Sequence, residues 1–279
     1  MSKGFPVPSS KLMECQKLAD GKFSRAEVGV VIEKELPIFV NGEHLVTASI
    51  APGLEREFVI GYLFGQGFIN SVEEISSLEV DDNAAKVTLQ DVARVSLSTG
   101  KTSYRIVSGG GRAAYSDETG LPKIKTCVKI GKKEIFRAIS TLFEKAATYR
   151  ETEGVHAAGL FTTEVGPVCI VEDIGRHNML DKVIGYGLIN NIDFGKTFLV
   201  STGRMASEMV TKICRAGIPV VATKTAITDK GREIGRKCGL TIIGFVRDAG
   251  TRIHTDMEVR VIKEASMKIY TGAARIPCE

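Results

Sequence analysis

Between Val28 and Leu97 the apolar positions come in short alternating runs, the period-two signature of half-buried strands. Strands are predicted over 28–32, 38–40 and 45–50, and Asn41-Gly42 predicts a tight hairpin between the last two, since both residues tolerate positive φ. The spacing of Leu54, Phe58, Gly61, Tyr62 and Gly65 changes the period to that of a helix with a narrow, close-packing face, closed by Gly67. Two further strands, 75–80 and 85–89, flank the turn residues Asp81-Asp82-Asn83. Residues 24–103 therefore read as a small α+β lobe, preceded by a flexible N-terminus over 1–23.

A different grammar follows. Residues 104–123, with Ser108-Gly-Gly-Gly-Arg112 and Ser116-Asp-Glu-Thr-Gly-Leu-Pro122, are rich in turn formers and read as a linker or a functional loop. Three glycines in succession can turn their N–H groups toward an anion. From Lys132 onward, helices over 132–149, 177–188, 205–216 and 229–238 alternate with strands over 155–161, 168–171, 197–201, 218–222 and 240–246. Strands separated by helices need crossover connections, which predicts a mostly parallel sheet with helices on both faces, an α/β domain spanning 124–279.

The chemistry gathers where these strands end. Val171 is followed by Glu172-Asp-Ile-Gly-Arg-His-Asn178, Val200 by Ser201-Thr-Gly-Arg204, Ala222 by Thr223-Lys-Thr225, and Val246 by Arg247-Asp-Ala-Gly-Thr-Arg252. Carboxyl ends of parallel strands share one edge, so Arg176, Arg204, Lys224 and Arg247 are expected around a common phosphate-binding crevice, with Gly175, Gly203 and Gly250 allowing close backbone approach. His177 reads either as a ligand group there or as a helix-start histidine bonded to Asp173. His156, among very small neighbours in Gly154-Val-His-Ala-Ala-Gly159, reads either as a satisfied core histidine or as a further ligand group.

Composition narrows the partners. The 279 residues are 43% hydrophobic and 25% charged, an ordinary globular balance, and 37 basic against 33 acidic residues give a net charge of +4. That excess suits a small anionic ligand better than a nucleic acid. No apolar run is long enough to cross a bilayer and the first ten residues lack a signal-like apolar stretch, so a cytoplasmic protein is expected. The six cysteines show no two-residue spacing of the kind that holds zinc or forms a redox couple; Cys169 and Cys214 read as small buried hydrophobes. Gly100-Lys101-Thr102 imitates the end of a phosphate loop, but Val95 stands where its first glycine is required. No nucleophile elbow and no zinc-deaminase signature occurs, and no structural metal is expected.

The segment Glu172-Asp-Ile-Gly-Arg-His-Asn178 with Asp181-Lys-Val-Ile-Gly185 resembles the signature of the formate dehydrogenase accessory sulfurtransferase family. Val40-Asn-Gly42, Glu57-Phe-Val-Ile-Gly-Tyr-Leu-Phe64, Gly154-Val-His-Ala-Ala158, Ser201-Thr-Gly-Arg204, Glu208-Met-Val210, Arg215-Ala-Gly-Ile-Pro219 and Gly244-Phe-Val-Arg247 extend the resemblance over most of the chain. It implies a cytidine-deaminase-like three-layer α/β/α core without the deaminase zinc, and a homodimer. It also implies transfer of sulfur from a cysteine desulfurase to the molybdenum bis-guanine-dinucleotide cofactor before delivery to apo-formate dehydrogenase, with guanosine diphosphate as a mimic of that cofactor. The implied cofactor-binding stretch is Phe245, Val246, Arg247, Asp248, Ala249 and Gly250, to which the residue reading adds Asp173, Arg176, His177, Gly203, Arg204, Lys224 and His156. One departure stands out: where the family carries a Cys-Gly-x-Cys-Gly loop, this chain has Ser108 and Gly111 at the cysteine positions. A persulfide needs a thiolate, which neither supplies. The alternative to sulfur transfer is thus a non-catalytic chaperone for the same cofactor.

Overall fold

The computed structural model describes residues 9–90, 105–106, 112–113, 120–164, 166–249, 252–254 and 259–277. Its first element was not expected. Within the segment read as a flexible terminus, β1 (Ser10–Ala19) pairs antiparallel with β2 (Lys22–Val31) as a separate two-stranded ribbon. The turn Asp20-Gly21, both residues at positive φ, makes the tight connection possible. The strand expected at 28–32 is only the root of this ribbon.

The small lobe follows its pattern. Strands β3 (Lys34–Val40), β4 (Glu43–Ile50), β5 (Ile75–Val80) and β6 (Ala85–Leu89) form a sheet in the order β4-β3-β6-β5. Asn41 and Gly42 take positive φ in the β3–β4 turn as the sequence requires. Helix α1 (Glu55–Gln66) ends at Gly67 in the left-handed conformation, whose N–H returns to the carbonyls of Leu63 and Phe64. The two-residue strands β7 (Arg105–Ile106) and β8 (Arg112–Ala113) pair on either side of 107–111; Ser108 and Gly111 lie outside the described residues.

The larger part is a six-stranded sheet in the order β10-β9-β11-β12-β13-β16. It comprises β9 (His156–Thr162), β10 (Gly166–Asp173), β11 (Phe198–Ser201), β12 (Val220–Thr223), β13 (Thr241–Arg247) and β16 (Ser266–Thr271). The short strands β14 (Arg252–His254) and β15 (Val259–Val261) pair with each other before β16. The sheet is mixed rather than mostly parallel: β11–β12 and β12–β13 are parallel, while β10–β9, β9–β11 and β13–β16 are antiparallel. The reason is connection length, because β9 reaches β10 through residues 163–165, too few for a crossover. Reversing β9 preserves the direction of β10, however, so β10, β11, β12 and β13 still end on one edge, where β9 begins.

Helices cover both faces. Helices α2 (Lys132–Lys145) and α3 (Ala147–Thr152), split at Ala146 where one helix was expected, lie on one side. Helices α4 (Arg176–Ile189), α5 (Ser207–Ala216) and α6 (Asp229–Cys238) lie on the other. Alternate strand residues divide accordingly. Leu160, Val171, Leu199, Val221 and Ile242 join the core under α4–α6, whereas Phe161, Ile170, Phe198, Val220 and Ile243 join Ile135, Ile139 and Leu142 of α2. The first of these cores also contains Leu36, Ile38, Phe58, Leu63 and Val87, so the small lobe and the larger sheet share one apolar interior. No helix among the described residues is long and apolar enough to cross a membrane.

Candidate functional site

The junction between the lobes is held by groups from the 172–185 segment. Asp173, at the end of β10, is fully buried; it accepts hydrogen bonds from the N–H of Ala51 (3.1 Å), the N–H of Gly175 (2.9 Å) and Asn178 (3.1 Å), and pairs with Lys182 at 2.8 Å. Lys182, equally buried, also donates to the carbonyl oxygen of Ala51 at 2.7 Å. Asp173 is therefore an internal tie between lobes, not a ligand group of the rim, and it is not the partner of His177. A second buried pair lies one turn away, where Lys212 of α5 meets both carboxylate oxygens of Asp181 at 2.6 Å. Burial pushes the Asp181 carboxyl up, and the Lys212 ammonium works against that shift.

A cleft of about 850 Å³ opens above these pairs. One wall is apolar, from Val46 of β4 and Phe58 and Tyr62 of α1; the other carries His156, Arg176 and His177, with Glu208 and Lys212 from α5. His177 is held well below an ordinary imidazole, at about 3, by burial first and then by the charges of Lys212 and Arg176. It is a neutral ring at physiological pH, and its Nε2 is buried without a hydrogen-bond partner among the described residues. Burial, then the Arg176 charge, also lower His156, partly offset by Asp173, and Arg204 adds to the lowering.

His156 and Arg176 line the cleft together at the sheet edge, and Arg204 follows Thr202 and Gly203 on the loop that touches both. Arg176 is depressed by burial and then by Arg204, with Glu208 opposing. The loop after β11 builds the cluster: Gly203 donates its N–H to the Ser201 hydroxyl (2.9 Å), and its Cα lies against the Arg176 stem, so an added Cβ would stand 3.3 Å from Arg176 Cβ. Thr202 lies 3.4 Å from Nδ1 of His156 and accepts the Ala157 N–H at 3.0 Å. Thr223 of β12 donates to the carbonyl of Gly203 at 2.8 Å, locking the next strand end to the same loop. Arg204 points outward, exposed.

Lys224 and Arg247 form a second group farther along the edge. The Arg247 guanidinium donates to the Lys224 carbonyl, and burial followed by the charge of Arg247 lowers Lys224, whose ammonium sits 4.5 Å from the centre of the Phe143 ring. Phe245 takes a positive φ of 51°, rare for an aromatic residue, at an irregularity in the β13–β16 ladder. Its ring lies against Arg247 (5.8 Å) and Lys268 (4.8 Å), a cation that the sequence reading missed because β16 has no motif. Val246 is core-buried, so its side chain is unavailable to a ligand; Asp248 and Ala249 are exposed, and Gly250 lies outside the described residues. The sequence reading also missed Glu208, Lys212 and the apolar wall from α1 and β4, which only the lobe junction brings to the cleft.

Among the described cysteines Cys169, Cys214 and Cys238 are buried, and burial pushes the Cys169 thiol up to about 12 and raises Cys214. Cys127 is exposed, in an extended segment tied through Thr126 to the carbonyl of Gly195 and through Ile124 to that of Cys238. Those anchors precede β11 and β13, at the edge opposite the cationic cluster. Among the described residues, no group of three or more histidine, cysteine or acidic side chains is placed to hold a metal.

Comparison with known proteins gives a consistent picture. The model of the FdhD/NarQ family matches residues 31–277. A protein of Methanothermobacter thermautotrophicus named sulfur carrier protein FdhD is 33% identical over 245 residues, covering 86% of this chain and 94% of its own. One of the same name from Sulfolobus acidocaldarius is 33% identical over 251 residues, covering 88% and 96%. A crystal structure of a Desulfotalea psychrophila protein described as a formate dehydrogenase accessory protein superposes with a TM-score of 0.76 at 23% identity, over 97% of this chain and all of that one, and shares the fold.

Proposed function

The chain belongs to the FdhD/NarQ family, and on that premise we propose that it is an accessory factor for formate dehydrogenase maturation. In this reading it holds the phosphate-rich molybdenum bis-guanine-dinucleotide cofactor, its cargo, against the carboxyl edge of the sheet and passes it to the apo-enzyme in the cytoplasm. The observation that carries the reading is the gathering of the Arg176 and Arg204 guanidinium groups around His156 at the loop after β11, with Glu208 as nearby countercharge. Like charges held together are costly unless an anion bridges them, and guanidinium groups match phosphate oxygens in bidentate geometry. Lys224, Arg247 and Lys268 offer a second cationic station on the same edge, which suits a cargo with more than one phosphate group. Tyr62 and Val46, half-buried on the cleft wall over the buried Phe58, give a heterocycle a surface to lie on.

The sulfur step is assigned differently from that of cysteine-bearing relatives. Ser108 and Gly111 supply no thiolate, and Cys169, Cys214 and Cys238 are sealed in the interior; of the other described cysteines, Cys127 lies at the opposite sheet edge and half-buried Cys15 stands on the β1–β2 ribbon, outside both sheets. We therefore read this chain as a holder of the cofactor that carries no persulfide at the 108–112 segment. Two measurements test the two halves. Calorimetric titration with guanosine diphosphate should give saturable heat that Arg176→Ala and Arg204→Ala weaken about tenfold or more; absence of heat with the unmodified protein would end the binding half. Incubation with a cysteine desulfurase and cysteine, followed by intact-mass measurement, should show no added sulfur atom. A stoichiometric adduct would restore the carrier role.

A further inference from the structure

The ribbon β1–β2 precedes residue 31, where the family match begins, and belongs to neither of the two larger sheets. Antiparallel partners share a face, so the register sorts the ribbon into two surfaces. Ser10, Leu12, Gly29 and Val31 lie on the face turned to α3, where Ser10 donates to Glu151 at 2.8 Å and a Cβ on Gly29 would strike the Glu151 carboxylate. Farther out the same face carries the opposed pair Glu14 and Glu27, then Arg25, then Leu18 beside Phe23.

The other face runs from root to tip as Lys11/Val30, Met13/Val28, Cys15/Ala26, Lys17/Ser24 and Ala19/Lys22. Among the described residues, no side chain of this face bonds outside the ribbon. Met13 (44% exposed), Val28 (42%) and Val30 (37%) are its large apolar groups, and Lys11, Lys17 and Lys22 are its exposed charges. None of its five rows holds an acid. Of the three acids in the ribbon, Glu14 and Glu27 belong to the face toward α3 and Asp20 sits in the turn. The ribbon thus divides its charges by face, leaving outward a surface that is only basic and apolar.

We propose that this outer face seats the ribbon on an anionic lipid surface. Met13, Val28 and Val30 enter the boundary between headgroups and acyl chains, and Lys11, Lys17 and Lys22 lie at the level of the phosphates. Charge complementarity sets the sign of the partner, and the residue types set its nature. Protein interfaces are depleted in lysine and enriched in arginine and aromatic rings, neither of which this face has. Lysine suits a fluid layer of phosphates, because its flexible stem lies along apolar surface while the ammonium reaches outward. A lone two-stranded ribbon is marginal in water, and a surface beneath it supplies the burial it lacks. Its strands bond each other, and its open edges stay among hydrated headgroups, so no backbone group is stranded. Three cations and three apolar side chains make a reversible attachment that salt weakens. The cofactor reading neither supports this attachment nor depends on it.

Flotation with vesicles of equal parts phosphatidylglycerol and phosphatidylcholine, against phosphatidylcholine alone, tests this. The parent should rise with the anionic vesicles, stay behind with the neutral ones, and lose most of its binding between about 0.05 and 0.5 M salt. Lys17→Glu should lower the partition coefficient about tenfold. Arg25→Glu makes the same charge change one row away on the opposite face, and should lower it about threefold or less. Met13→Ser with Val28→Ser changes no charge and should lower it about threefold or more. Circular dichroism should show all variants folded. No binding to anionic vesicles, equal binding to neutral ones, or an effect of Arg25→Glu as large as that of Lys17→Glu would each overturn the proposal. So would serine variants that bind as the parent does, since charge alone would then recruit any acidic polymer or protein.

Discussion

His177 illustrates how far a residue's chemistry depends on its depth. In an unfolded chain its imidazole titrates near 6.5, whereas burial beside Lys212 and Arg176 holds it at about 3 in the folded protein. Between those values the unfolded state takes up a proton that the folded state refuses, so this residue's contribution is intact above about pH 6.5 and is lost as pH falls toward 3. Denaturant midpoints of the parent and His177→Phe should therefore diverge increasingly as pH falls from about 6.5 and most at about pH 3, the parent losing on the order of a few kcal/mol more than the variant on acidification. Parallel acid limbs would show that the ring is not sealed. The cationic work of the cleft falls instead to Arg176 and Arg204. The sequence named all three residues, but it could not say which of them stays uncharged.

At the level of elements, the glycines of α1 and α4 decide how the lobes meet. A Cβ on Gly61 would strike the backbone carbonyl of Asp181, and one on Gly185 would strike that of Glu57, so the two helices cross backbone against backbone. Gly61→Val should cost about 3 kcal/mol or more, since neither backbone can retreat without moving a sheet. Gly195→Ala, whose nearest neighbour is an Asp193 oxygen at 3.2 Å, should change stability by less than about 0.5 kcal/mol. Thermal denaturation of the two variants checks the contrast; equal loss would mean that the crossing is looser than it looks. The spacing of Gly61 and Gly65 announced a close-packing face, and the helix appeared where expected. Its partner could not be named, because α4 lies more than a hundred residues away and its glycines carry no address.

For the whole molecule, the buried pair Lys182–Asp173 joins both lobes, since each member also bonds Ala51 at the end of the small lobe's sheet. Lys182→Met keeps the volume and leaves Asp173 buried without its cation, which should cost about 3–5 kcal/mol. Because the cleft lies along this junction, guanosine diphosphate binding should weaken in the same variant under conditions where it remains folded. Calorimetry beside a denaturation curve separates the two effects: undiminished binding in a destabilised protein would show that the tie holds the fold but does not shape the cleft. The expected edge of strand ends survived a wrong premise about the sheet. The strands are not mostly parallel, yet two antiparallel pairings around β9 restore a common direction to β10, β11, β12 and β13.

Local pattern alone determined most elements, the Asn41-Gly42 and Gly67 turns and the polar strand ends, because each depends on neighbours within a few residues. The absence of cysteine at 108 and 111 was likewise plain in the chain itself. Only the tertiary structure decided that Asp173 turns inward to Lys182, that Val246 is core, that His177 is neutral, and that α1 and β4 wall the cleft. Those outcomes depend on burial and on contacts between segments far apart in sequence, and desolvation is a property of the packed molecule that no local spacing encodes.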